Sequence, residues 1–267
     1  MQPAIGSGMP GFGEIFSQAI PYQHDNLLNR ILLRGVMATL GRLVEDVRGA
    51  DKLTQIPDPY IVVLNHSTRI EALVVPPLLA WYRQGKQIRF LADWNFLMVP
   101  GISLLYRRNG VIPVVRKPAR PKVLNALRPW IVRQTTGFAG ASQSLAKGES
   151  VGIFPEGTVN RDPHCLLTGQ IGTAKLSLDT GTPVLPIGIR FPQPKRHDAL
   201  EAFPTMRLVV GDPLDPCQFR STQRRVSAVK QWHERIMSEL GQLSGKRWEP
   251  TLSRMQEQAC QTSTKSM

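Results

Sequence analysis

At 267 residues and 42% hydrophobic content, the chain has enough apolar material to bury the core of one α/β unit with appendages, and too much for disorder throughout. Its formal net charge of +13 calls for an acidic partner: phosphate groups, anionic lipid, an acidic carrier protein or nucleic acid. The three cysteines are widely spaced and never in a CxxC arrangement, which argues against a disulfide framework or a zinc site and fits a reducing compartment.

Residues 1–22 are rich in Gly and Pro and are expected to form a flexible arm, lacking the basic and apolar regions of a secretory leader. Residues 23–50 read as a basic amphipathic segment. Within 27–47, Leu28, Ile31, Leu32, Val36, Leu40, Leu43 and Val47 recur at helical spacing, edged by Arg30, Arg34 and Arg42. The apolar face of this helix packs on the protein's own core, contacts a membrane surface, or divides between the two. No uninterrupted apolar run reaches the roughly 18 residues that a spanning helix needs.

From residue 60, short β-branched runs alternate with longer helical patterns. Strands are predicted at 60–64, 88–91, 111–115, 151–154, 184–190 and 206–210, and helices at 70–84, 122–147, 168–179 and 222–242. This alternation predicts an α/β fold over residues 51–247, a mostly parallel central sheet flanked by helices. Residues 248–267 are polar and aperiodic and read as a frayed tail.

Charge is unevenly distributed. No acidic residue occurs between Asp93 and Glu149, whereas Arg107, Arg108, Arg116, Lys117, Arg120, Lys122, Arg128, Arg133 and Lys147 lie in that interval. Such a one-signed stretch favours an anion-binding face over an ordinary solvated one. The apolar segment WNFLMVPGISLLY, residues 94–106, leads into Arg107 and Arg108. It suits either core packing or a surface that holds acyl chains beside lipid head groups.

Two strand exits carry the chemistry. In YIVVLNHSTRIEALVV, His66 follows an apolar strand and Glu71 stands five residues later, at a helix start. Thr68 and Glu71 fit a capping-box spacing, so Glu71 has a purely local use as well. A histidine at the carboxyl edge of a sheet stands where α/β proteins bind ligands, and a carboxylate on one ring nitrogen leaves the other free to take a proton. In SVGIFPEGTVNRD, residues 150–162, a second strand runs into a turn whose Gly157 permits close approach and whose Glu156 offers a polar hold. A third strand, in RRNGVIPVVRK, ends at Arg116 and Lys117, with guanidinium geometry suited to phosphate.

In this order, the stretches resemble the glycerolphosphate and lysophosphatidic acid acyltransferase family over roughly residues 30–212. Asn65, His66 and Glu71 match its first motif, Gly110 to Arg116 its second, Phe154 to Thr158 its Phe-Pro-Glu-Gly-Thr motif, and TPVLPIGI, residues 182–189, its fourth. The resemblance implies acyl transfer from acyl-CoA or acyl carrier protein to a hydroxyl of a lysophospholipid-like acceptor, without an acyl-enzyme, a metal or a cofactor. It further implies that His66 is the general base and Glu71 its orienter, with Asn65, Arg116, Glu156, Gly157, Thr158 and Arg161 on the substrate side. A peripheral position on the cytoplasmic face of an anionic membrane is expected.

Two departures stand out. Glu71 is one methylene longer than the family's usual Asp, and Val159 occupies the position of an arginine after the Thr. The second departure weakens the case for a phosphate-bearing acceptor. A thioester hydrolase would use the same His and Glu on water. A non-catalytic nucleic-acid binder is disfavoured by the lack of helix-turn-helix or finger spacing and by only 7% aromatic residues. No nucleophile elbow is evident, and His164 beside Cys165 does not make a dyad.

Overall fold

The computed structural model describes residues 10–18, 20, 27–99, 101–115, 125, 137–192, 200, 203–220 and 225–249. At its centre lies β2 (Ile61–Leu64), whose four residues are all fully buried. Val62 and Leu64 enter one apolar cluster, while Ile61 and Val63 enter another on the opposite face. A strand covered on both sides explains why its sequence is a continuous apolar run instead of an alternation.

The other strands are β1 (Val44–Arg48), β3 (Arg89–Asp93), β4 (Ile112–Val114), β5 (Val151–Ile153), β6 (Val184–Arg190) and β7 (Met206–Val210). They form a seven-stranded sheet of order β1-β7-β6-β2-β5-β3-β4. Neighbours are parallel except β6 and β7, so β1 and β7 run against the other five. The fold is α/β with a mostly parallel sheet, as the strand–helix alternation predicts.

The flanking helices are α1 (Phe12–Ser17), α2 (Leu27–Thr39), α3 (Lys52–Gln55), α4 (Glu71–Tyr82), α5 (Ile102–Arg108), α6 (Gly137–Ala146), α7 (Gly172–Thr180), α8 (Cys217–Arg220) and α9 (Arg225–Ser244). Leu33 and Met37 of α2 and the apolar length of α4 cover one sheet face. Ala141 and Leu145 of α6, Ala174 and Leu176 of α7, and Trp232 and Ile236 of α9 cover the other. None of the helices among the described residues is long and apolar enough to cross a membrane.

Three expectations change. The amphipathic helix does not run to residue 47. It ends at Thr39, a 3-10 turn spans Leu40–Leu43, and Val44–Arg48 pair with β7. Val44 and Val47, three apart, satisfy helical spacing equally well, and a register shift between Val44 and Asp46 lets both face the core from a strand. The supposed arm contains α1, which packs on α2: Ile15 and Ile20 are core residues, and Arg34 Nη2 donates to the Gln18 carbonyl at 3.0 Å. The tail is docked at its start, where the Arg247 amide donates to the His164 carbonyl at 2.8 Å and Trp248 joins Leu166, Met237 and Leu240. Of the predicted helix at 122–147, α6 falls within the described residues, and residues 122–124 and 126–136 lie outside them.

Candidate active site

Register sets the site. Val63 of β2 stands opposite Ile153 of the parallel β5, so three residues further along each chain His66 comes level with Glu156. The two strand exits therefore meet at the carboxyl edge of the sheet, the usual ligand crevice of an open α/β fold.

His66 Nδ1 lies 3.1 Å from Glu71 Oε2. Because an ionised carboxylate only accepts, this contact fixes the proton on Nδ1 and leaves Nε2 as the acceptor. Glu71, the first residue of α4, is fully buried; its two oxygens also accept the Ser67 amide at 3.1 and 2.9 Å and the Thr68 amide at 3.0 Å. Both uses read from the sequence coexist: the carboxylate ties down the loop amides and aligns the ring. On its flat side the imidazole meets Phe154 at 4.5 Å between centroids, and Phe154 meets Phe90 at 5.7 Å. The ring is thus held by a hydrogen bond at one edge and an aromatic contact on one face.

Glu156, expected on the substrate side, turns its carboxylate inward. It is buried, Oε1 accepts the His66 backbone amide at 2.9 Å, and Oε2 accepts from Asn160 Nδ2 at 2.8 Å and the Leu167 amide at 3.0 Å. Burial pushes its carboxyl above the ordinary range, opposed by those three hydrogen bonds and by the positive charge of Lys246. Asn65 is likewise turned inward. Its Oδ1 accepts the Ile189 amide at 2.7 Å and its Nδ2 donates to the Ile189 carbonyl at 3.0 Å, so a side-chain amide extends the β2–β6 ladder beyond Leu64.

The remaining expected residues divide. Gly157, at φ +68°, and Thr158 are exposed on the turn that follows Phe154, as is Arg161 beyond them. Arg116 lies outside the described residues. Three participants escaped the sequence reading: Asn160, whose own amide donates to the His66 carbonyl at 2.7 Å; Phe154, as a ring against His66; and Lys246. A signal existed for Asn160 in its spacing four residues after Glu156. Lys246, far off in sequence and flanked by polar residues, gave none.

Comparison with known proteins bears on this geometry. The Acyltransferase family model matches residues 46–190, more than half of the chain, from within β1 to the end of β6. The chain belongs to the Acyltransferase family. Among curated members, the chloroplastic 1-acyl-sn-glycerol-3-phosphate acyltransferase BAT2 of Brassica napus is 26% identical over 147 residues, 53% of this chain and 36% of that protein. The 1-acyl-sn-glycerol-3-phosphate acyltransferase of Borreliella burgdorferi (strain ATCC 35210 / DSM 4680 / CIP 102532 / B31) is 28% identical over 127 residues, 48% of this chain and 44% of that one. The match thus spans less than half the length of these curated relatives. The crystal structure of the 1-acyl-sn-glycerophosphate (LPA) acyltransferase PlsC from Thermotoga maritima is similar at a TM-score of 0.54 and 19% identity, with 89% of each chain covered. At that identity the likeness establishes the shared fold. Within the Acyltransferase match lie all the residues around His66 except Lys246, which stands outside it.

Proposed function

We propose that the protein is an O-acyltransferase that moves a fatty acyl group from acyl-CoA or acyl carrier protein to a hydroxyl of a lysophospholipid-like acceptor. The observation that carries this reading is the His66–Glu71 pair at the mouth formed by β2 and β5. His66 Nε2 takes the proton of the acceptor hydroxyl as its oxygen attacks the thioester carbonyl. The tetrahedral intermediate then expels the thiolate, and His66 returns the proton to that sulfur. Glu71 balances the transient imidazolium. Ser67, the neighbouring hydroxyl, is fully buried and so closed to a thioester, which supports direct transfer over an acyl-enzyme.

Gly157, Thr158, Arg161 and Arg116 are assigned to the substrate side. The named relatives are 1-acyl-sn-glycerol-3-phosphate acyltransferases, which supports a lyso-lipid acceptor, with Arg116 and Arg161 as the anion contacts where Val159 replaces the family arginine. Asn65 and Glu156 are assigned to positioning. Peripheral attachment to the cytoplasmic face of an anionic membrane is part of the same reading. It is supported by apolar side chains left in solvent on the N-terminal helices: Phe12 is 64% exposed, Phe16 49%, Leu27 71% and Ile31 57%.

The test is incubation of the protein with a radiolabelled long-chain acyl thioester, with and without lysophosphatidic acid. A diacylated product is expected, and free fatty acid as the sole product would identify a hydrolase instead. His66→Ala should lose about 10² to 10⁴ of the rate, and retention of more than about a tenth would overturn the base assignment.

A further inference from the structure

Lys246 is 4% exposed, an unusual position for an ammonium group. A left-handed cap delivers it there. Gly245, at φ +72°, ends α9; the Gly245 amide donates to the Gln242 carbonyl at 3.3 Å and the Lys246 amide to the Gly241 carbonyl at 3.0 Å. The chain then runs as a short strap against the loop that follows the Phe154–Thr158 turn. The Leu166 amide donates to the Arg247 carbonyl at 2.9 Å, and Trp248 Nε1 donates to the Thr168 carbonyl at 3.3 Å.

From this strap Lys246 Nζ donates to Ser67 Oγ at 2.6 Å and to the Asp162 carbonyl at 2.7 Å. The Ser67 amide is a donor to both oxygens of Glu71, and Glu71 holds His66. One ammonium, 179 residues from Ser67, therefore pins the residue whose amide holds the orienting carboxylate of Glu71. Its charge also faces Glu156, Glu71, Asp162 and Cys165 across the loop. Burial pushes the amine below its ordinary range, and those four groups oppose the fall. Buried cations are retained where they are hydrogen-bonded and compensated, and here Nζ bonds Ser67 Oγ and the Asp162 carbonyl within the field of the two carboxylates that hold the His66 backbone and ring.

We propose that Lys246 is a positioning residue of the acyl-transfer site: the C-terminal strap carries a positive charge into the base of the histidine loop and locks Ser67 there, and through the Ser67 amide it steadies Glu71 and the ring that Glu71 aligns. The role rests on the general-base reading of His66. It does not extend to contact with substrate.

The experiment compares the full-length protein with Lys246→Met and Lys246→Arg, reading two quantities. The first needs no substrate: the rate of His66 modification by diethyl pyrocarbonate at one fixed pH, followed on the His66 peptide by mass spectrometry. Loosening the Ser67–Glu71 hold should free the ring and raise that rate about threefold or more, and Lys246→Arg should restore it. The second is turnover per folded molecule on an acyl-CoA with lysophosphatidic acid. It should fall about tenfold in Lys246→Met at near-constant KM. An unchanged modification rate with lowered thermal stability alone would reduce Lys246 to a structural tether and overturn the proposal. If Lys246→Met does not fold, Ser67→Ala cuts the same link and should slow turnover about threefold or more; wild-type turnover there overturns the proposal as well. An active His66→Ala, by contrast, removes the general-base reading itself.

Discussion

Asn65 and His66 are sequence neighbours with opposite tasks. Asn65 spends both ends of its amide on Ile189, while His66 gives one ring nitrogen to Glu71 and, in the proposed reaction, uses the other on the acceptor hydroxyl. Glu156 sits between these extremes, since its hydrogen bond to His66 is to the main chain. Glu156→Gln tests that placement. The amide nitrogen of Gln would face either the His66 amide or the donors from Asn160 and Leu167, donor against donor, in a site closed to water. The expected result is a loss of about 1–3 kcal/mol of stability by urea unfolding and a lower kcat, with KM for the acceptor within about twofold of wild type. A raised acceptor KM at unchanged stability would return Glu156 to the substrate side. The residue letters Phe-Pro-Glu-Gly-Thr mark where the loop is, but they do not say that the Glu turns inward. Orientation comes from the β2–β5 register and from Asn160 and Leu167, which a linear pattern does not encode.

At the scale of elements, the predicted strands fall within one or two residues of the observed ones, because each is centred on buried apolar residues. β1 was illegible for a physical reason: two valines three apart fit a helix as well as a bulged edge strand. The strap was illegible because its burial depends on α9, which reaches the sheet where Gly188 has no side chain; a Cβ there would lie 2.2 Å from the Leu243 carbonyl carbon. The same helix carries a pH-sensitive contact. His233 is buried, its Nε2 lies 2.9 Å from the Thr168 carbonyl, and Trp248 stands edge-on to its ring at 6.0 Å. Burial pushes the His233 imidazole below its ordinary 6.5, against a smaller upward pull from the Thr168 hydrogen bond and Glu234. A depressed folded-state value means stability that is present above the unfolded value and lost as pH falls through the folded one. Unfolding free energy should therefore decline below about pH 6.5, with a slope of at most about 1.4 kcal/mol per pH unit from this group. Glu156, pushed up by burial, has the opposite sign above its ordinary 4.5, so the diagnostic is the difference between wild type and His233→Gln. Urea unfolding at pH 7.5 and 5.5 should give the variant the shallower acid-side loss, and parallel losses would remove His233 as the cause.

For the whole molecule, the question is how a protein with a net charge of +13 and exposed apolar side chains would meet the acidic, apolar substrate proposed for it. Two kinds of surface bear on it. On α1, Phe12 and Phe16 meet at 5.0 Å between ring centroids with their planes tilted by 54°, outside the core that Ile15 enters. Beside β3, Trp94 and Tyr106 are buried, while Phe96, Val99 and Leu104 remain in solvent next to Arg107 and Arg108 at the end of α5. Segment 94–106 thus divides between core and surface instead of choosing one. Apolar insertion and charge attraction respond differently to salt, since ions screen charges over about 8 Å at physiological strength and leave apolar contacts intact. Flotation with anionic vesicles should therefore capture the protein most strongly at low salt and progressively less as NaCl rises toward about 0.5 M. Phe16→Asp together with Ile31→Asp should weaken capture at every salt concentration. Equal capture by zwitterionic and anionic vesicles would mean that the acid-free stretch from residue 94 to 148 does not serve the membrane, and would leave an acidic carrier protein as the partner its charge fits.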